Sequence, residues 1–123
     1  MNVLVLDDSS AMRAILCKIM KELGHSTLEA ENGREGLDKL ASAPGPVELA
    51  LVDWNMPEMD GLQFVTEVRR DPKHNDMRIL MVTTETEMMQ VVRAIEAGAN
   101  EYVMKPFTRD VIIDKLRLIG IGS

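Results

Sequence analysis

The order of segments along the chain constrains its fold more than any single residue does. Short, β-rich apolar runs alternate five times with stretches whose apolar residues recur at helical spacing. Residues 3–6 are followed by a helical segment that Ser9 or Ser10 can cap and Gly24 ends. Residues 26–29 precede helical spacing over 33–40, broken by Pro44-Gly45-Pro46. Residues 48–52 precede a helix that starts after Gly61, carries Leu62, Val65 and Val68, and closes at Asp71-Pro72. Residues 78–82 lead to a stripe of Met88, Val91, Val92 and Ile95 closed by Gly98. Residues 101–104 lead to Val111, Ile112, Leu116 and Ile119, closed by Gly120.

Such alternation implies βαβ units and an α/β domain whose parallel sheet is covered on both faces. The unbroken apolar character of 3–6, 49–52 and 79–82 fits strands buried on both sides. With 123 residues, no internal repeat and no long linker, the chain reads as one domain over 1–123. Residues 71–77 are its most polar loop.

Composition narrows the partners. The net charge of −6 argues against direct nucleic-acid binding, which needs clustered Lys and Arg. No apolar run approaches the ~20 residues of a membrane span, and nothing resembles an export segment. The single cysteine, Cys17, lies among helix-forming apolar residues and cannot form an internal disulfide, so a cytoplasmic setting is expected.

The polar residues at the strand ends carry the functional signal. The first strand ends at Asp7-Asp8, the third at Asp53, the fourth at Thr83-Thr84 and the fifth at Lys105. In an open parallel sheet these ends lie on one edge, where ligands bind. Taken singly, Asp8 and Thr83 can be read as helix caps, Asp53 as a turn residue, Lys105 as a solvated lysine and Tyr102 as core. Taken together, three carboxylates, a hydroxyl and an amine converge on one cleft. Carboxylates so grouped need a cation, and a few hard oxygen donors suit Mg²⁺. A carboxylate beside such a cation can act as nucleophile toward a phosphoryl group, with Thr83 and Lys105 on the remaining oxygens.

Asp7-Asp8, the run D-W-N-M-P-E-M-D-G from Asp53 to Gly61, Thr83, Tyr102 and Lys105-Pro106-Phe107 resemble a response-regulator receiver domain over essentially the whole chain. Among receivers the chain is most similar to the CheY-type chemotaxis regulators. The resemblance implies a flavodoxin-like, doubly wound (βα)5 domain with strand order 2-1-3-4-5. It implies that Asp53 is the phosphoacceptor. Asp7, Asp8, Asp53 and the backbone carbonyl of Asn55 would hold Mg²⁺, and Thr83 and Lys105 would bind the phosphoryl oxygens. Thr83 and Tyr102 would form the switch, and Asn55 and Glu85 would tune the lifetime of the phosphoryl group. Met88, Val91, Ile95, Tyr102 and Lys115 would line an output face of helix 4, strand 5 and helix 5. A cis peptide is implied between Lys105 and Pro106. The implied partners are a sensor histidine kinase or its phosphotransfer domain and a downstream protein target. Such a chain is a switch that catalyses only its own phosphorylation and dephosphorylation.

Two departures stand out. Thr84 occupies a place where receivers commonly carry a smaller residue, and Glu87 and Met88 stand where chemotaxis members that bind the flagellar motor tend to be basic. Two other classes remain: a constitutive binding module that keeps the fold without the chemistry, and an aspartyl-phosphate phosphatase of the haloacid dehalogenase type. The latter wants D-x-D after its first strand, where this chain has Asp7-Asp8-Ser9.

Overall fold

The computed structural model describes residues 1–84 and 88–122. A parallel sheet is built from β1 (Asn2–Leu6), β2 (Ser26–Ala30), β3 (Val47–Asp53), β4 (Arg78–Thr83) and β5 (Glu101–Met104), in the order β2-β1-β3-β4-β5. The helices are α1 (Ser10–Glu22), α2 (Gly33–Ser42), α3 (Gly61–Arg70), α4 (Met88–Ala97) and α5 (Arg109–Leu118). This is the flavodoxin-like order that the resemblance implies. β3 and β4 end at Asp53 and Thr83, one residue beyond the apolar runs 48–52 and 78–82, where the strand ends are expected. The polar loop after α3 contains a three-residue 3₁₀ turn, Pro72–His74, which the sequence reading left irregular. Asp71 caps it by accepting from the Lys73 amide.

Side-chain alternation divides the core. Leu4, Leu6, Ala50, Val52, Ile79 and Met81 point to the side covered by α2, α3 and α4. Val3, Val5, Leu49, Leu51, Leu80 and Val82 point to the side covered by α1 and α5. Both faces of the central strands are therefore dry, which is why their sequences read as continuous apolar runs. Local chemistry sets the helix starts. Ser9, Asn32 and Thr108 each accept a first-turn amide, and Asp60 with Gln63 forms a reciprocal capping box at 2.9 Å both ways.

The buried stripe of α4 differs from the expected one. Val91 and Ala94 are buried, whereas Val92 is 62% and Ile95 41% exposed. Counting only bulky residues overlooks Ala94, whose small side chain lets this helix approach the sheet closely. At its end, Arg69 of α3 donates from Nε to the Gly98 carbonyl at 3.0 Å, from Nη1 to His74 O at 2.8 Å, and from Nη2 to Met77 O at 2.8 Å and Asn100 Oδ1 at 3.1 Å. One guanidinium thus ties α3, the 3₁₀ turn and the α4–β5 connection together. Among the described residues no helix is long and apolar enough to cross a membrane.

Candidate functional site

Strand order reverses between β1 and β3, and a ligand crevice is expected beyond their carboxyl ends. Leu6 pairs with Val52, so the next residues along, Asp7 and Asp53, stand side by side. Both are buried, at 1% and 5% exposure. On the far side Thr83 pairs with Met104, and the Lys105 amide then donates to the Thr83 carbonyl at 2.6 Å. Register alone brings residues about a hundred positions apart to one edge.

Lys105 Nζ donates to Asp7 Oδ2 at 3.1 Å and to Asp53 Oδ1 at 3.3 Å. Burial pulls the Lys105 pKa down, but the charges of Asp53 and Asp7 and the hydrogen bonds to both outweigh it, and the net shift is upward. The peptide between Lys105 and Pro106 is cis, as the resemblance implies. Thr83 is buried, and its hydroxyl lies 3.3 Å from the Thr84 carbonyl. Thr84 itself is half-buried at the rim.

Asp7 is fixed at several atoms. Its amide donates to Ala30 O at 3.1 Å, and its Oδ1 accepts from the Ser9 amide at 2.9 Å. Its carbonyl accepts from Arg13 Nη1 at 2.7 Å. Nothing in the sequence reading singled out Arg13. Its signal is faint, an arginine in the first turns of α1 whose main partner here is a backbone atom without sequence identity.

Asp8 is exposed beside this pair, and one carboxylate oxygen each from Asp7, Asp8 and Asp53 lie within 4.8 Å of one another. Three converging hard oxygen donors, with one lysine offsetting part of their charge, fit a small divalent cation such as Mg²⁺. Asn55 is exposed in the loop after β3. That loop is tightly built. Met59 N–H donates to Pro57 O at 2.7 Å across Glu58, whose φ of 64° marks a γ-turn. Gly61 N–H donates to Trp54 O at 2.9 Å, and a Cβ on Gly61 would sit 2.5 Å from the Asp53 carbonyl oxygen. Only glycine fits there, and its closeness holds Asp53 at the crevice floor.

The other expected residues lie apart from this cluster. Tyr102 is half-buried, with Lys115 Nζ 4.6 Å above its ring centroid and Lys115 also 3.5 Å from Glu101. A groove of about 420 Å³ runs past Val92, Ile95, Glu101 and Tyr102. Val91 lines it but is 6% exposed, so Val92 presents more surface there than the expected Val91. Glu85 and Glu87, and the side chain of Met88, lie outside the described residues.

The family model described as the response regulator receiver domain matches residues 3–117. A chemotaxis protein CheY homolog of Campylobacter jejuni is 47% identical over 125 aligned positions, covering 100% of this chain and 95% of that protein. Chemotaxis protein CheY1 of Helicobacter pylori is 43% identical, with coverage of 97% and 96%. In structure, chemotaxis protein CheY4 of Vibrio cholerae matches with a TM-score of 0.86 at 31% identity, over 96% of this chain and 97% of that one. Matches this long leave one conclusion: the chain belongs to the response regulator receiver family.

Proposed function

We propose that this receiver accepts a phosphoryl group on Asp53 from a histidine kinase or its phosphotransfer domain, in a Mg²⁺-dependent reaction, in chemotaxis-type signalling. The observation that carries this is the buried Asp7–Asp53 pair bridged by Lys105, with Asp8 beside it. The CheY-named relatives support the chemotaxis setting.

Asp7, Asp8, Asp53 and the Asn55 carbonyl would hold the cation. A bound Mg²⁺ supplies the positive charge that lets an anionic carboxylate and an anionic phosphoryl group approach each other. An Asp53 carboxylate oxygen forms the bond to phosphorus as the phosphorus–nitrogen bond to the donor imidazole breaks. The imidazole nitrogen keeps the electron pair and takes a proton. Lys105 and Thr83 contact phosphoryl oxygens and stabilise their charge. Hydrolysis then removes the phosphoryl group: a water oxygen bonds to phosphorus and gives up a proton as the bond from phosphorus to the Asp53 oxygen breaks, the carboxylate keeps the electron pair, and inorganic phosphate leaves. Asn55 and Glu85 set the lifetime of the acyl phosphate.

Thr83 and Tyr102 transmit the change to the face of α4, β5 and α5, where a downstream protein binds. The switch requires two states within a few kcal/mol and a ligand that prefers one. The chain works in the cytoplasm, where its partners reside, and as a switch it turns over no other substrate.

Trp54, the only tryptophan, adjoins Asp53 and is 5% exposed, so its fluorescence reports on the site. A saturable change is expected with Mg²⁺, and a second, Mg²⁺-dependent change with acetyl phosphate that is absent in Asp53→Asn. A folded wild-type chain that shows neither change would refute the phosphoacceptor role.

A further inference from the structure

We propose that Arg13 is a positioning residue for the acidic site: it fixes the peptide joining Asp7 to Asp8 and thereby sets where the Asp8 carboxylate stands. This rests on the cation-binding role proposed above and extends it to a residue outside the ligand set. The Arg13 side chain is only 12% exposed, uncommon for an arginine without a specific task. Its guanidinium divides its donors. Nη1 takes the Asp7 carbonyl at 2.7 Å, Nε takes Glu29 Oε1 at 3.1 Å, and Nη2 lies 3.9 Å from Glu31 Oε1.

That division matters for what the cluster can bind. The charged partners of Arg13 lie on β2 and just beyond it, so its charge is met there. It approaches the acidic site through a backbone oxygen and leaves the carboxylates to a cation. The Asp7 carbonyl belongs to the same planar peptide unit as the Asp8 amide, so anchoring that oxygen orients the plane that carries Asp8. Asp7 has other restraints, at its amide and its carboxylate. The Asp8 side chain has no hydrogen bond or ion pair among the described residues, so its placement depends on the backbone beneath it. Partners one shell out from a metal ligand commonly govern affinity in this way.

The sign of the effect separates positioning from charge. Removing a cation near three carboxylates should tighten Mg²⁺ binding if only electrostatics acts. Loss of positioning should weaken it. We expect Arg13→Met to weaken Mg²⁺ binding about tenfold, read by Trp54 fluorescence. Arg13→Lys, which keeps the charge but not the fork, should recover part of that loss and decides the matter if the methionine variant does not fold. Lys105→Met removes a cation without touching the Asp7–Asp8 peptide and should tighten binding. In metal-free protein, amide exchange at Asp8 and Ser9 should quicken in Arg13→Met. A folded Arg13→Met that binds Mg²⁺ as tightly as wild type, or tighter, overturns the role of Arg13 alone. A wild-type chain with no saturable Mg²⁺ response overturns the cation-binding role itself and this inference with it.

Discussion

Replacing Lys105 by methionine tests how the buried carboxylates are held without metal. The lysine sits 3.1 Å from Asp7 and 3.3 Å from Asp53, with a side chain 19% exposed. At an effective dielectric constant near 20, each pair at such a distance is worth about 5 kcal/mol before desolvation. Desolvation of three charges removes much of this, and removing one partner of a buried pair typically costs 3–5 kcal/mol. Partial exposure places Lys105→Met near the lower end, about 3 kcal/mol. With an unfolding entropy of roughly 2.1 cal/mol/K per residue, 123 residues convert this to a fall in Tm of about 12 °C in EDTA. The cost should shrink with Mg²⁺. If the vacated charge raises Mg²⁺ affinity tenfold, saturating metal stabilises the variant by about 1.4 kcal/mol more than wild type. Thermal unfolding followed by circular dichroism, in EDTA and in saturating Mg²⁺, measures both quantities. An unchanged Tm in EDTA, or equal stabilisation of both proteins by Mg²⁺, would show that Lys105 does not balance the pair.

Three further outcomes are expected. Gly61→Ala places a methyl 2.5 Å from the Asp53 carbonyl oxygen and should cost about 3 kcal/mol in urea unfolding, with a loss of the Trp54 response to Mg²⁺. Arg69→Met leaves the carbonyls of Gly98, His74 and Met77 without this donor and should cost about 3 kcal/mol, while Mg²⁺ affinity in the folded protein stays the same. Partial burial, with help from the nearby amino terminus and against Glu48, lowers the His25 pKa below 6.5. Its unfolded state then binds the extra proton first, so the stability present above pH 6.5 is lost as pH falls through the folded pKa, a slope His25→Gln should reduce in urea titrations at pH 7.5 and 5.5.

Much of the fold was legible because strands buried on both faces advertise themselves as unbroken apolar runs, and because each ends in a residue of distinct chemistry. Asp7, Asp53, Thr83 and Lys105 could be placed at one edge from strand direction alone. Ala94 escaped because small residues carry little weight in a hydrophobic stripe, although they decide how closely a helix can pack. Arg13 and Arg69 escaped for another reason: they bind carbonyls of Asp7, Gly98, His74 and Met77, and a backbone oxygen looks the same at every position of a sequence. The γ-turn at Glu58 was hidden likewise, since nothing about a glutamate announces a positive φ.

The bond from Lys105 to Asp7 spans 98 residues, and that to Asp53 spans 52. No local segment contains the proposed acceptor and its counter-charge, and each must be delivered by a different strand of a finished sheet. A nascent chain that has not yet reached Lys105 therefore lacks this counter-charge beside Asp7 and Asp53. Under the proposed role, competence to accept a phosphoryl group would depend on the finished sheet, and an incompletely folded copy would send no message.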